Sequence, residues 1–356
     1  MYKIRDNYYS KIQKSTFKDK PIGLKNFEFN CYMNSVIQCL FHAEKFREYF
    51  IKKDNFLKEE KPVSYELKNI FLKMKQRIGS IDLRDFKKIM GEIDDSFKGS
   101  NGADATDLIR YIFSSLLAEQ TNFVGLDFSM MSNLSINKEN KVLNDCKKSV
   151  GNDTALIYIM NYFKTIYNCG KKIYNRSKRL LIKHSDFYEF NNNCFIEFNL
   201  EYFSKENGLQ NLFKKYNNLK TESLEFCSQC KNEVNCTSQT LLYETSNYLI
   251  IILNHEKKSK ELITINYDEY INIENFVEKK DRECFRLIGI VFHSGDSSQY
   301  GHYFSICRSN NKFYELNDSK VREISLLSIR YNKSSPYILF YEKYFDEKLK
   351  YKYKKY

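Results

Sequence analysis

The chain has 356 residues, 42% hydrophobic and 16% aromatic, with 3 Pro and 12 Gly, enough apolar material for a core and too few breakers for a collagenous or linker-dominated architecture. Its longest apolar runs, Tyr248 to Leu253 and Leu287 to Phe292, fall far short of the ~20 residues of a bilayer-spanning helix, so no membrane is expected. The formal charge of +12 is spread among Asn, Tyr, Ile and Phe, a mixture that an A/T-rich coding bias also produces, and no dense basic stripe marks a nucleic-acid partner.

Residues 1–20 are polar and basic and read as an N-terminal extension. Met1 to Ser10 lacks the apolar segment of a signal peptide, so the 10 cysteines are expected as reduced thiols in an intracellular setting, cytoplasm or nucleus. From Cys31 the spacing of Val36, Ile37, Leu40 and Phe41 predicts a helix, with others at Tyr65 to Arg77, Leu83 to Met90 and Ala103 to Glu119. Asp104 falls in the first turn of the last of these, where a carboxylate suits the helix dipole. Residues 120–195 are poorly patterned, and only Leu156 to Ile166 is read there, as a helix. Beyond them, β-branched and aromatic runs predict antiparallel strands at Phe195 to Leu200, Tyr248 to Leu253, Arg286 to Phe292, His302 to Arg308, Lys312 to Leu316 and Tyr337 to Tyr341. Helices first and sheet afterwards make an α+β fold with the site between the halves. Residues 343–356 form a basic tail in which Lys348, Lys350, Lys352, Lys354 and Lys355 alternate with tyrosines.

Two segments carry chemistry. Cys31 opens the first helix with Asn30 as its expected N-cap, and a thiol at the positive end of a helix dipole favours the thiolate. A cysteine nucleophile needs a histidine base, near in space though distant in sequence. His302, where a glycine-bounded loop meets a strand, is the candidate among five histidines. His42 sits on a helix among charges, His184 and His255 in Lys-rich surroundings, and His293 at a strand end without a polar constellation. The base needs an orienting partner. If a three-residue loop, Ser309-Asn310-Asn311, pairs Arg308 with Lys312, His302 lies opposite Asp318; a register slipped by one brings up Asn317. Both remain candidates on this count.

These residues resemble the boxes of the ubiquitin-specific proteases, the papain-like deubiquitinases. The Cys box matches at Gly23-Leu24, Asn26 and Cys31-Tyr32-Met33-Asn34-Ser35 with Gln38, and the His box at Gly301-His302-Tyr303 followed by Phe313-Tyr314-Glu315-Leu316-Asn317-Asp318-Ser319 and Val321. Ala103 to Asp107 resembles the family's acidic box. The resemblance spans residues 21–342 and implies one catalytic domain with a helical thumb, an antiparallel β palm and β fingers. It implies Cys31 as nucleophile, His302 as base and then acid, Asn317 as third member with Asp318 beside it, and Asn26 as oxyanion donor. Asp104, Asp107 and Tyr303 are the implied substrate-binding residues, and ubiquitin or ubiquitinated protein the implied partner.

The departures have chemical meaning. Glu28-Phe29-Asn30 stands where the family has Gly-Asn-Thr, and a carboxylate turned toward Cys31 would disfavour the thiolate. Two readings therefore stand beside an active protease: a catalytically impaired ubiquitin-binding relative, and a basic nucleic-acid or interaction module on an inherited scaffold. No cofactor is expected for catalysis. Cys227 and Cys230 have the C-x-x-C spacing of a zinc knuckle that the family completes with an earlier pair. Here that pair has become Cys169 and Lys172, which leaves zinc possible at Cys169, Cys227 and Cys230, with Cys236 as a substitute.

Overall fold

The apolar spacing that begins at Cys31 winds into α1 (Cys31–His42), which is buried without a break from Cys31 to Phe41. Four helices follow: α2 (Glu44–Lys52), α3 (Pro62–Gln76), α4 (Arg84–Ile93) and α5 (Ala105–Gln120). Proline occupies the first turn of α3, where its missing N–H costs nothing, and Arg77 ends that helix in the left-handed conformation at φ 55°. The rings of Phe46, Phe50 and Phe71 pack edge-on, with centroids 5.1 Å apart between Phe46 and Phe50 and 5.7 Å between Phe50 and Phe71. All three are fully buried, and burying such a ring stabilises by about 1.5–3 kcal/mol.

The computed structural model describes residues 20–345 except 78–80, 101, 122–130, 133–142, 146, 149, 176–179, 184–185, 201–207, 228, 256–264, 281–282 and 298–299. Residues 1–19 of the expected N-terminal extension, the basic tail beyond 345 and His184 lie outside the described residues. Among the described residues, no helix is long and apolar enough to cross a membrane.

After α5 the chain runs through β1 (Met131–Ser132), β2 (Asn161–Asn168), β3 (Lys172–Asn175), β4 (Leu180–Lys183), β5 (Phe187–Asn193) and β6 (Phe195–Asn199) to α6 (Leu209–Asn218). Next come β7 (Thr221–Cys227), β8 (Asn232–Glu244), β9 (Tyr248–Asn254), β10 (Tyr270–Asn272), β11 (Cys284–Ser297), β12 (Tyr300–Ser309), β13 (Lys312–Asn317) and β14 (Lys320–Ile324). Helix α7 (Leu326–Arg330) and β15 (Ser335–Lys343) end the described chain. One sheet has the order β1-β5-β2-β8-β7, and a larger one the order β14-β13-β12-β11-β15-β9-β6. The pairings are antiparallel except β6 with β9.

The helix expected over Leu156 to Ile166 is replaced by a 3-10 turn at Ala155–Tyr158 and by β2. The reason is tertiary: β2 pairs with β5 on one side and β8 on the other, and Tyr162, Phe163, Thr165 and Ile166 suit a pleated surface better than a helix.

The larger sheet is buried on both faces. Along β9, Tyr248, Ile250 and Ile252 face the helices, while Leu249, Ile251 and Leu253 face a second core closed by Leu212 and Phe213 of α6. That double burial explains why Tyr248 to Leu253 reads as an unbroken apolar run. Helix α1 packs across β11, β12 and β13, so its N-terminus is brought to the end of the sheet where His302 and Asn317 stand.

Candidate active site

The turn before α1 sets the nucleophile. Asn30 does not cap α1 with its side chain, contrary to the expectation. Its Oδ1 instead accepts from the Phe27 N–H at 2.8 Å, and its Nδ2 donates to Asn34 Oδ1 at 3.2 Å. The side chain is thus spent on closing the turn of residues 26–30, which delivers Cys31 at the start of the helix. Cys31 is 7% exposed, and its sulfur accepts from the backbone N–H of Tyr303 at 3.5 Å.

Glu28 and Phe29 both have positive φ, 46° and 57°. A left-handed residue other than glycine costs roughly 1–2 kcal/mol, which accounts for the family's glycine at the position of Glu28. The Glu28 carboxylate turns outward: its side chain is 63% exposed and lies 4.0 Å from Lys87 Nζ. The feared charge against Cys31 is therefore directed at a lysine instead, and Phe29 also points to solvent.

His302 stands on β12, and its Nε2 is 2.8 Å from Asn317 Oδ1. Donation from Nε2 to that oxygen leaves the other ring nitrogen for the Cys31 thiol. Contact with Cys31 is the largest influence on the imidazole; with help from Asn317 and the Asp318 charge, and against burial, it pushes the His302 pKa up to about 9. An imidazolium held beside a thiol is half of the ion pair that a cysteine hydrolase uses.

The hairpin that joins these residues differs from the register counted on the sequence. Asn310 and Asn311 alone form the loop, both with positive φ as a type I′ turn requires, so Lys312 pairs with Ser309 and not with Arg308. The ladder then stops at Ser305 and Leu316, where the strands part and Asn317 reaches across to the imidazole.

Asp318 has a different set of partners. Its Oδ2 lies 4.0 Å from His302 Nε2, whereas its carboxylate accepts from Asn26 Nδ2 at 2.9 Å and Asn34 Nδ2 at 2.8 Å. Asn26 is held at its other end too, since its Oδ1 accepts from the Asn30 N–H at 3.2 Å. The backbone of residues 23–24 lies directly on this turn: Leu24 N–H donates to the Asp318 carbonyl at 3.0 Å, and a Cβ on Gly23 would stand 2.6 Å from that oxygen. Asn34 is a site residue that the residue-by-residue reading missed. Its signal was an asparagine at the fourth position of a buried helix, where an unpartnered amide is costly.

The acidic-box residues lie on α5. Asp104 is its N-cap, accepting from the N–H and the hydroxyl of Thr106 at 2.7 Å each. Asp107 pairs with Arg110 at 2.9 Å, and Arg110 also grips Glu197. Tyr303 is 3% exposed, so the ring offers little surface to a substrate; burial and then the Asp104 charge raise its phenol, and its contribution at the nucleophile is the backbone N–H. His293, read as an isolated strand end, is instead buried between Tyr303 and Tyr337 at ring-centroid distances of 4.5 and 5.3 Å. Its ring occupies the space above Gly301, where a Cβ would come within 2.5 Å of it. That contact restricts the residue before His302 to glycine.

At the far end of the smaller sheet, Cys169, Cys227 and Cys230 bring their sulfurs within 4.8 Å of one another. Cys227 and Cys169 are 3.7 Å apart, close to the ~3.8 Å between ligands in a tetrahedral site with Zn–S bonds of ~2.3 Å. Burial and the two neighbouring thiols push the Cys230 pKa up to about 11. Cys236, 1% exposed, belongs to the same small cluster. The sulfurs of Cys169, Cys227 and Cys230 fit a zinc ion as three ligands.

The sequence model described as "Ubiquitin carboxyl-terminal hydrolase" matches residues 22–341. The chain belongs to the ubiquitin carboxyl-terminal hydrolase family. Among its relatives, Ubiquitin carboxyl-terminal hydrolase Usp2 of Drosophila melanogaster is 23% identical over 342 residues, covering 90% of this chain and 34% of the relative. Ubiquitin carboxyl-terminal hydrolase 4 of Arabidopsis thaliana is 21% identical over 376 residues, covering 94% of this chain and 97% of the relative. The chain therefore spans about a third of one hydrolase and almost all of the other. In fold it is similar to a chain of the SAGA Ubp8/Sgf11/Sus1/Sgf73 deubiquitinating module solved bound to ubiquitin aldehyde, with a TM-score of 0.65 at 17% identity over 96% of this chain and 75% of that one. The α+β architecture is that of the hydrolase family, with α1–α5 as thumb, the larger sheet as palm and the smaller sheet as fingers.

Proposed function

We propose that the chain is a thiol-dependent deubiquitinase that hydrolyses the isopeptide or peptide bond after the C-terminal glycine of ubiquitin. The observation that carries this reading is the convergence of Cys31, His302 and Asn317 within a family match that spans residues 22–341. Each group has a role that follows from its partners. The Cys31 thiolate attacks the glycyl carbonyl carbon and the carbonyl electrons move onto oxygen. The Asn26 amide, anchored by Asp318, donates one of its two N–H groups to Asp318 and has the second for the oxyanion. The His302 imidazolium gives its proton to the departing lysine or α-amine nitrogen as the C–N bond breaks, leaving a thioester on Cys31. His302, now neutral, takes a proton from water, whose oxygen attacks the thioester and expels the thiolate. Asn317 fixes the ring throughout.

Ubiquitin and ubiquitinated proteins are the proposed partners, and an intracellular setting is proposed with them because the chemistry requires a reduced thiol. The outward turn of Glu28 favours the active enzyme over an impaired relative. The fingertip thiols Cys169, Cys227 and Cys230 would hold a structural zinc, which lends stability to the fingers and takes no part in hydrolysis. The test is release of a fluorescent amine from a ubiquitin C-terminal amide: turnover abolished by Cys31→Ala is the expected result, and turnover that survives that substitution, or is absent from the unsubstituted protein, refutes the reading.

A further inference from the structure

The turn that links the proposed oxyanion donor Asn26 to the nucleophile Cys31 holds two consecutive left-handed residues, Glu28 and Phe29, neither of them glycine. Such a conformation persists only where its surroundings over-determine it. Within the turn, Asn30 supplies part of that: its N–H donates to the Phe27 carbonyl at 3.2 Å and its Oδ1 accepts from the Phe27 N–H. The remaining tie comes from another element. Lys87, on α4, is 6% exposed, a degree of burial that lysine rarely reaches without a partner. Its Nζ donates to the carbonyl oxygen of Glu28 at 2.9 Å, lies 4.0 Å from the Glu28 carboxylate, and sits 5.8 Å from the centre of the Phe27 ring. A buried ammonium is thus aimed at the peptide group between the two left-handed residues.

We propose that Lys87 is a positioning residue for the hydrolytic reaction: by holding the Glu28 carbonyl it fixes the strained turn and, through the turn, the height of the Asn26 amide relative to Cys31. The lysine touches no reacting atom. Its role arises because glycine is absent from position 28; a residue free to adopt positive φ makes the turn without help. Removing the Lys87 ammonium should therefore weaken stabilisation of the oxyanion, a species present only in the transition state and the tetrahedral intermediate, while leaving ubiquitin binding intact. The dependence should vanish when Glu28 becomes glycine.

This inference rests on the deubiquitinase reading, and three proteins test it: Lys87→Met, which keeps the length and apolar character of the side chain, Glu28→Gly, and the double variant. For each, kcat and KM are measured on a ubiquitin C-terminal fluorogenic amide, and the labelling rate on a ubiquitin carrying a C-terminal alkyne, which reacts with the thiol but has no carbonyl oxygen to stabilise. Lys87→Met should lower kcat about tenfold, with KM and alkyne labelling within about twofold. The Glu28→Gly protein should match the unsubstituted one, and the double variant should recover kcat to within about threefold of it. An unchanged kcat in Lys87→Met, a parallel loss of alkyne labelling, or a double variant no better than Lys87→Met would each overturn the inference while leaving the function standing. Absence of hydrolysis by the unsubstituted protein would overturn the function itself and this inference with it.

Discussion

The catalytic end of the palm and the tip of the fingers each gather polar side chains from distant parts of the chain, and they do so in opposite ways. At the palm, unlike groups meet: amides from Asn26 and Asn34 on a carboxylate, an imidazole on a carboxamide oxygen, a backbone N–H on a thiol. Each donor has an acceptor within the chain, so the geometry is fixed before any substrate arrives. At the fingertip, like groups meet, three thiols within 4.8 Å, and burial together with the other two raises the Cys230 pKa. Convergence of unlike groups organises a reaction, whereas convergence of like acids organises a cation site.

Several substitutions can break that contrast, in decreasing order of expected effect. His302→Ala should cost about 10³-fold or more in kcat/KM on a ubiquitin amide, because it removes both the proton donor and the base. A loss of tenfold or less would mean that the palm network does not organise the chemistry. Asp318→Ala should lower kcat about 10- to 100-fold with little change in KM, since Asn26 and Asn34 lose their shared acceptor. If KM rises while kcat holds, Asp318 acts on substrate binding instead.

Asn317→Ala should act on the pH profile. The His302 pKa is raised from its ordinary 6.5 to about 9, so the imidazolium's favourable contacts are fully present below pH 6.5 and fade as pH rises through about 9. Cys31 is the largest contributor and Asn317 a smaller one, so the alkaline limb of kcat/KM should move to lower pH without disappearing. Because the ring is 39% exposed, the accompanying change in unfolding free energy should be small. A stationary limb would show that Asn317 does not hold the charged ring.

The smallest effect on activity belongs to the fingertip. Cys227→Ser should leave kcat within about twofold while reducing bound zinc, measured by metal analysis of protein purified without chelator, and lowering thermal stability. Zinc-free unsubstituted protein would sink the cation-site half of the comparison. A large loss of turnover in the zinc-depleted variant would show that the two ends are coupled.

Much of the catalytic end was legible in the sequence, because a nucleophile at a helix start and a base at a strand start are local patterns. Residue types brought Cys31 and His302 together and left Asn317 and Asp318 open as the partner; the family resemblance named Asn317, whose Oδ1 lies 2.8 Å from His302 Nε2. What escaped reading depended on partners remote in sequence. The hairpin count failed because Ser309 can extend β12, and only the positive φ of both Asn310 and Asn311 reveals a two-residue loop. Asn30 resembled a cap by position, yet the Phe27 N–H competes for its oxygen. Leu156 to Ile166 has spacing that allows a helix, and the two neighbouring strands that make it a strand enter about 30 and 70 residues later. Lys87 could not be singled out at all: one lysine among many, distinguished only by the carbonyl it reaches.

The most direct test is covalent. Full-length protein incubated with ubiquitin bearing a C-terminal electrophile should gain the mass of one probe, with the adduct mapped to Cys31 and absent from Cys31→Ala. Labelling of another cysteine, labelling that persists in Cys31→Ala, or tight ubiquitin binding without any adduct would contradict the assignment of the palm as a working thiol hydrolase.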